Sequence, residues 1–356
     1  MMNSYGIVMG YYGPVWNLEA LSDYAVFCKE FGYTYFIYAP KEDDSLRKNW
    51  AVPFTDKELD FLLKTKKAFD AQGVAFGVGF SPYGMNALDE ENKHKLEQKI
   101  QQLNTVNPTI LGVFFDDIEA SSITPNVGCG QVAVAEFAAS VSTAQNFFSV
   151  PAYYSHDQIL QRVLGPTPKN YFAEFACLDQ KFQIFWTGEH IISTGFTQPE
   201  LACISDQLKR PVTLWHNYPV NDPPYLLDKL LMCAPIDVPS DILDYTGGVA
   251  FNPMVQPYVS MIPLACTSAL LKQKIRNARG AYLDALHRVC GSELAEVIDQ
   301  NLNYFLLNGM KRTKQSNLVR MSQVFSEFSK KKDLSGKVAN DFLTFIHQYM
   351  EEPACV

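Results

Sequence analysis

Apolar and polar positions follow two alternating patterns over residues 5–252. Short apolar segments, rich in β-branched and aromatic residues, end in Gly, Pro, Asp or Asn, and each precedes a longer segment in which apolar positions recur with helical period. A strand followed by a helix, repeated along the chain, is typical of an α/β fold. The pattern predicts strands at residues 6–13, 33–40, 74–81, 109–118, 148–155, 182–188, 211–217 and 247–253.

Signals for helix starts agree with these repeats. Asn17 precedes one apolar stripe as an N-cap, and Thr55 with Glu58 forms the pattern of a capping box before another. Eight β/α repeats predict a (β/α)8 TIM barrel, in which the active site is built from the loops after the strands. A doubly wound open sheet is the alternative, but it usually carries a glycine-rich phosphate loop, and the sequence contains no G-x-G-x-x-G or P-loop motif.

After Asn252 the pattern becomes helical throughout. Residues 257–274 predict the closing helix of the barrel, so we expect a catalytic barrel over residues 1–275 and an all-helical C-terminal region over residues 276–356. Three apolar stripes in the helical region, within residues 294–305, 321–328 and 342–349, must be buried against another surface. We expect them to pack on the barrel or on a second copy of the protein, and the second arrangement would make a homodimer.

The composition fits a globular protein with a large core. Hydrophobic residues make up 47% of the 356 residues, and the formal net charge is −8. Acidic side chains outnumber basic ones over residues 1–269, which argues against nucleic-acid binding. The cysteines form no C-x-x-C pair and suit reduced thiols. Because no signal peptide or membrane-length apolar run is present, we expect a cytoplasmic protein without membrane contact, although export without an N-terminal signal stays open.

The stretch at residues 109–119 ends a buried strand in two adjacent carboxylates, Asp116 and Asp117. A continuous apolar run is typical of a strand buried on both faces. Neighbours in a regular strand point to opposite faces, and burying one ionised carboxylate in a core costs roughly several kcal/mol or more. We therefore expect the strand to stop there, so that the chain turns and both carboxylates enter one cleft. A strand-ending turn with two solvated acids is the alternative.

Polar and aromatic side chains also follow the other predicted strands, whose ends meet at one rim of a barrel. Carboxylates and amides grip hydroxyls, and indole and phenol rings cover the apolar faces of a sugar, so the set predicts a polyol-binding site. A metal site at His156, His216 and the Asp pair is the alternative, but no H-x-H or H-E-x-x-H spacing supports it. The other rim residues are Gly10, Tyr12, Gly13, Lys41, Asp43, Asp44, Ser81, Tyr83, Tyr153, Tyr154, Trp186, Thr187, Trp215, Asn217, Asp222 and Asn252.

Seven short stretches at these strand ends resemble glycoside hydrolase family 84, the O-GlcNAcase-like β-N-acetylglucosaminidases. Each stretch alone is a weak signal, but all seven occur in order over nearly the whole predicted barrel. The matching stretches are residues 10–13 with Trp16, 38–41 with Trp50, 115–118, 151–154, 186–188, 215–222 and 252–253.

The resemblance implies a retaining exo-β-N-acetylglucosaminidase that removes O-linked GlcNAc from proteins or glycoconjugates without a metal or cofactor. Asp116 would hold the N–H of the substrate's 2-acetamido group, and Asp117 would act as general acid and then as base. The substrate's own acetamido carbonyl would be the nucleophile, giving an oxazoline, which is the substrate-assisted exception to the two-carboxylate rule. Two carboxylates so close also predict a raised pKa for one of them, which keeps an acid protonated near neutral pH.

The same resemblance implies the remaining pocket residues. Tyr154 would hydrogen-bond near the acetamido oxygen, and Trp215 would wall the N-acetyl pocket. The chain has Pro14 where the family commonly has arginine, and His216 where it commonly has aspartate. We expect both residues near the rim of the pocket, where they would influence which aglycone is accepted. A catalytically silent carbohydrate-binding or scaffold protein on the same fold is the alternative function. The residues expected to bind ring hydroxyls are Gly10 (through its backbone carbonyl), Lys41, Asn217, Asp222 and Asn252.

Overall fold

The chain folds into two compact units. The computed structural model describes residues 4–85, 88–234, 238–272 and 277–350. The first unit comprises Met1–Asn217 and Asp237–Asn252, and the second comprises Tyr218–Ile236 and Pro253–Val356. No helix within the described ranges is both long enough and apolar enough to cross a membrane.

The first unit is a closed barrel of parallel strands, which confirms the predicted TIM barrel. Each strand pairs with the next, and β1 closes on β8 with Ser4 opposite Gly248. The strand interiors are buried without alternation, as expected for a parallel sheet covered by helices. The strands are β1 (Ser4–Met9), β2 (Tyr35–Tyr38), β3 (Ala75–Phe80), β4 (Ile110–Phe114), β5 (Asn146–Val150), β6 (Phe182–Trp186), β7 (Thr213–His216) and β8 (Gly248–Phe251).

Helices connect each of the first seven strands to the next, whereas the described residues between β7 and β8 contain a 3-10 turn, Ile242–Asp244, instead of the helical segment that the sequence predicts. The Asn17 side chain accepts the N–H of Ala20 at 2.9 Å. Thr55 and Glu58 form the predicted capping box, in which each side chain accepts the other's main-chain N–H. Both predicted helix starts are confirmed. The helices of this unit are α1 (Leu18–Phe31), α2 (Asp56–Gln72), α3 (Glu90–Val106), α4 (Val127–Ser140), α5 (Gln158–Leu164), α6 (Tyr171–Phe175) and α7 (Gln198–Leu208).

Aromatic rings pack together inside the barrel. Phe148 stacks on Phe185 with ring centroids 4.8 Å apart. The Trp215 ring meets Phe185 edge-on at 5.4 Å and Phe114 edge-on at 5.6 Å. Such edge-to-face contacts are favourable beyond the burial of their area, so they fix the orientation of Trp215 at the end of β7.

The sequence placed every strand in order but extended most of them too far at the C-terminal end. It predicted strand to residue 13 where β1 ends at Met9, and to residue 118 where β4 ends at Phe114. The backbone stays extended and hydrogen-bonded beyond the regular ladder. For example, Phe115 N–H donates to the Val150 carbonyl at 2.9 Å. Buried apolar residues therefore continue past the last strand pair, and their pattern does not mark the strand end.

The second unit is helical and has an aromatic core of its own. Phe305, Phe325 and Phe342, one from each predicted stripe, lie with ring centroids 4.7–5.9 Å apart. Within this unit the stripes thus pack against one another, whereas the sequence predicted the barrel or a second copy as their partner. The homodimer stays a prediction. The helices are α8 (Pro257–Leu271), α9 (Ala278–Asn303), α10 (Gln315–Phe328) and α11 (Leu334–His347).

The predicted domain boundary, between residues 275 and 276, lies outside the described residues and stays a prediction. The compact units divide earlier, between Asn252 and Pro253. Helix α8, predicted as the closing helix of the barrel, belongs to the second unit and packs there on α9 and α11. It is buried almost throughout, and for such a helix the apolar pattern does not indicate which partner covers it.

Candidate active site

The two adjacent carboxylates lie directly after β4 and enter one cleft. Asp116 is buried, with 6% of its surface exposed, whereas the Asp117 side chain is 30% exposed. The chain turns at Asp117, whose φ of 53° lies in the left-handed region. A residue with a Cβ pays roughly 1–2 kcal/mol there, and Asp is one of the few that adopt it. This turn brings both carboxylates to the same side, as the sequence predicted.

Lys41 joins the two carboxylates from the loop after β2. Its ammonium group donates a hydrogen bond to Oδ2 of Asp116, and its Nζ lies 3.8 Å from Oδ2 of Asp117. The Lys41 side chain is buried, and its Nζ lies 6.0 Å from the centroid of the Trp215 ring. A buried cation beside two carboxylates offsets their mutual repulsion.

Asp116 keeps one oxygen without a protein partner. Among the described residues, none donates a hydrogen bond to its buried Oδ1. Nearly all buried polar atoms in folded proteins are hydrogen-bonded, and leaving a charged one unpaired is costly. The Oδ1 atom therefore retains its capacity to accept a hydrogen bond.

Two tyrosine hydroxyls hold the Asp117 carboxylate. Tyr154 donates to Oδ1 and Tyr12 donates to Oδ2, each at 2.9 Å. Burial and the charge of Asp117 both raise the pKa of Tyr154 well above its usual value, so its hydroxyl stays a donor. Both oxygens of Asp117 thus accept a hydrogen bond, as the two oxygens of an ionised carboxylate can.

The pKa of Asp117 lies below its ordinary value. Burial alone raises it, but the Lys41 charge, the two tyrosine hydroxyls and the Arg47 charge outweigh burial because each favours the ionised form. The sequence predicted the opposite, an acid kept protonated by the carboxylate beside it. That prediction is wrong for the free site, because it left out the cation that contacts both carboxylates.

A hydrogen-bonded chain of amides forms the opposite wall. The Gly10 N–H donates to Oδ1 of Asn252 at 3.0 Å, and the Asn252 amide donates to Oδ1 of Asn217 at 3.0 Å. The same Asn217 oxygen accepts the indole N–H of Trp215 at 2.9 Å. A Cβ added at Gly10 would overlap the six-membered ring of Trp215, so only glycine lets the backbone lie against this ring. The structure therefore brings these four predicted residues together.

Other predicted rim residues take different positions. His216 is buried between Phe196 and Phe251, at 5.1 and 5.7 Å between ring centroids, and burial lowers its pKa to about 3. His156 instead pairs with Glu189 at 2.8 Å. Over the described ranges, no three His, Cys, Asp or Glu side chains are grouped so as to hold a metal ion. Asp222 belongs to the second unit, where it is half-buried, and its role stays a prediction.

Sequence reasoning gave no role to two residues that contact Asp117. It placed Tyr12 at the rim without predicting its bond to the carboxylate. It did not single out Arg47, whose guanidinium donates to the main-chain carbonyl of Asp117 at 2.8 Å. Arg47 follows a 3-10 turn, Asp44–Leu46, that the Asp43 side chain caps. The spacing of a motif does not encode such a contact, because the path of the loop decides it.

Comparison with known proteins decides the family. Residues 5–308 match the family described as beta-N-acetylglucosaminidase. The chain belongs to this family of glycoside hydrolases. The family predicted from the seven strand-end stretches is thereby confirmed, and the match extends beyond the barrel into the second unit.

The chain is similar to mammalian proteins of much greater length. It is 20% identical over 283 residues to the Protein O-GlcNAcase of Mus musculus, and equally to that of Rattus norvegicus. These matches cover 77% of this chain but 30% of either relative. The chain therefore spans about a third of the length of the curated relatives it matches.

Two solved structures share the fold. A variant of the O-GlcNAc hydrolase of Thermobaculum terrenum superimposes with a TM-score of 0.79 at 20% identity, over 97% of this chain and 80% of that one. The structure titled CpGH84B superimposes with a TM-score of 0.77 at 23% identity. This match covers 98% of this chain and 66% of the CpGH84B chain. Both likenesses include the helical region after the barrel, which confirms the predicted fold class.

Proposed function

We propose that the protein is a retaining exo-β-N-acetylglucosaminidase that works by substrate-assisted catalysis. The observation that carries the proposal is the unpartnered, buried Oδ1 of Asp116 beside the tyrosine-held carboxylate of Asp117. The unpartnered Oδ1 can accept a hydrogen bond from the N–H of a 2-acetamido group. Family membership agrees with this substrate class.

In the first step the substrate supplies its own nucleophile. Asp116 accepts the acetamido N–H and turns the acetamido carbonyl oxygen towards the anomeric carbon. That oxygen bonds to the anomeric carbon as the glycosidic C–O bond breaks, and the Asp117 proton passes to the departing oxygen. The product is an oxazoline that is still protonated on nitrogen, and the Asp116 carboxylate stabilises its positive charge.

In the second step Asp117 acts as a base. It takes a proton from water while the water oxygen bonds to the anomeric carbon and the oxazoline reopens. Two inversions at the same carbon give net retention. No protein carboxylate has to reach the anomeric carbon, so neighbouring residues suffice and the usual carboxylate separation across the sugar is not needed.

Substrate binding has to raise the pKa of Asp117 before it can act as an acid. In the free site Asp117 is held as an anion. A sugar that covers its exposed side removes water, and removal of water disfavours the charged form of a carboxylate. The proposal therefore includes proton uptake by Asp117 on substrate binding.

The pocket wall suits the rest of an N-acetylglucosamine unit. Trp215 would cover the N-acetyl group, and the Tyr154 hydroxyl would donate to the acetamido oxygen and so hold that oxygen in place for attack. Ring hydroxyls would be bound by Lys41 and by the Gly10 carbonyl, together with Asn217 and Asn252. By likeness to the named O-GlcNAcases, the aglycone would be a protein or another glycoconjugate.

Turnover of aryl β-glycosides tests the proposal. The GlcNAc glycoside should be hydrolysed, whereas the glucose analogue should not, because it lacks the acetamido nucleophile. Hydrolysis of both at similar rates would contradict substrate assistance. Calorimetric binding of GlcNAc without turnover would instead support the alternative of a catalytically silent carbohydrate-binding protein.

A further inference from the structure

Arg47 contacts the Asp117 turn from the loop after β2. The side chain is buried, with 6% of the residue exposed. Its Nη2 donates to the main-chain carbonyl oxygen of Asp117 at 2.8 Å. The guanidinium carbon lies 5.5 Å from the ring centroid of Tyr12 and 4.9 Å from that of Tyr83. The planar group is therefore held by two aromatic rings and by one carbonyl.

These contacts act on Asp117 at two points. The carbonyl bond fixes the left-handed turn that aims the carboxylate into the cleft. The ring contact fixes Tyr12, whose hydroxyl donates to Oδ2 of the same carboxylate. A cation over an aromatic face stabilises by about 0.5–2 kcal/mol, and a guanidinium satisfies both this stacking and an in-plane hydrogen bond, which an ammonium does not.

We propose that Arg47 is a positioning residue that sets the geometry of proton transfer between Asp117 and the leaving oxygen. The inference rests on the proposed function, in which Asp117 is the general acid. Arg47 contacts the acid through the main chain of Asp117 and through Tyr12, and its charge also favours the ionised form of Asp117. It should therefore influence the steps that need the proton more than the steps that do not.

The leaving group separates positioning from a general loss of structure. A good leaving group, such as a dinitrophenolate, departs without a proton, whereas an alkoxide such as the serine side chain of a glycopeptide needs one. Removing a contact that aims the acid should lower kcat/KM for an alkyl or seryl β-GlcNAc substrate by about 30-fold or more, and for the dinitrophenyl glycoside by at most about threefold.

The variants are Arg47→Ala and Arg47→Lys. Arg47→Ala removes both contacts and leaves space for a free guanidinium ion. Guanidinium chloride at tens of millimolar should restore part of the loss on the poor leaving group, and sodium chloride at the same ionic strength should not. Arg47→Lys keeps the charge but not the planar guanidinium group. It should lower kcat/KM selectively for the poor leaving group, as Arg47→Ala does, but by a smaller factor. It replaces Arg47→Ala as the test if that variant fails to fold.

Arg210 provides a matched control. It is also buried and donates to main-chain carbonyls, at 2.8 Å to Asp179 and 3.1 Å to Phe182. Phe182 is the first residue of β6, at the end of the barrel away from the carboxylates. Arg210→Ala should lower the melting temperature without changing the ratio of kcat/KM for the two leaving groups.

The outcomes separate the inference from the function on which it rests. An active wild-type protein whose Arg47 variants lose both substrates equally, without guanidinium rescue, would overturn the role of Arg47 alone. A wild-type protein that hydrolyses neither substrate would overturn the proposed function and the inference with it. Selective loss with rescue, absent in Arg210→Ala, is the expected result.

Discussion

The Tyr154 hydroxyl donates a 2.9 Å hydrogen bond to Oδ1 of Asp117. Tyr154 follows β5 and Asp117 follows β4, so the bond joins the ends of neighbouring strands. It stabilises the anionic form of Asp117, and so it must weaken or move when Asp117 becomes the acid. The free site is therefore set for binding, and it changes its protonation when a substrate enters.

Replacing Tyr154 tests this bond. Tyr154→Phe removes a donor that lowers the pKa of Asp117, so that pKa should rise and the basic limb of kcat/KM should move to higher pH. The rate should also fall by about tenfold or more, because the acetamido oxygen loses the hydroxyl that holds it in place for attack. A pH profile of kcat/KM measures the shift. An unchanged basic limb would contradict the assignment of that limb to Asp117.

The wild-type protein should show two different basic limbs. The pH profile of kcat/KM reports the free enzyme, and that of kcat reports the substrate complex. Because the free site lowers the pKa of Asp117 and a covering sugar raises it, the basic limb of kcat should lie at higher pH than that of kcat/KM. Coincident limbs would show that substrate binding leaves the acid's pKa unchanged.

Gly10→Ala should displace the wall of the pocket. The added methyl group overlaps the Trp215 ring, which has to shift away from Asn217. We expect a stability loss of about 1–3 kcal/mol, as for other overpacked sites, together with a raised KM. Thermal unfolding and steady-state kinetics measure the two effects. In the double variant Gly10→Ala with Trp215→Phe, the lost stability should return while KM stays raised. An unchanged KM in Gly10→Ala alone would show that this wall does not contact the sugar.

Asp341 makes the second unit sensitive to pH. Its carboxylate accepts the N–H groups of Tyr258 at 2.7 Å and Val259 at 3.2 Å, and burial raises its pKa to about 7. An unfolded Asp has a pKa of about 3.9. Between these values the folded state holds a proton that the unfolded state has released, so this residue's contribution to stability falls as pH rises from about 4 to about 7.

Asp341→Asn should remove this dependence. Its amide oxygen still accepts the two N–H groups but carries no charge. The melting temperature of the wild-type protein should fall between pH 5 and pH 8 relative to that of the variant. If the melting temperature changes by the same amount between pH 5 and pH 8 in both proteins, Asp341 does not titrate in this range.

The sequence predicted the barrel and the carboxylate pair because both leave local signals. The apolar run before Asp116 is characteristic of a buried parallel strand, and the turn follows from the cost of burying a lone carboxylate. Gly10, Trp215, Asn217 and Asn252 were predicted to meet because strand ends of a barrel share one rim. The structure adds the hydrogen bonds that connect them.

The protonation of the site was not predictable in the same way. The pKa of Asp117 depends on how closely Lys41 approaches from a distant part of the sequence, and on hydroxyls that follow two other strands. Arg47 was missed because its contact depends on the path of one loop. Distances set electrostatic energies, and a pattern of residue types carries no distances.

The most direct test of the central claim changes the nucleophile itself. Aryl β-glycosides of glucosamine can carry acetyl, fluoroacetyl, difluoroacetyl and trifluoroacetyl groups on nitrogen, and each fluorine makes the carbonyl oxygen a weaker nucleophile. If that oxygen attacks the anomeric carbon, kcat/KM should fall steadily along the series, by about tenfold or more overall. A rate that does not change along the series would contradict the account, because the attacking atom would then belong to the protein or to water.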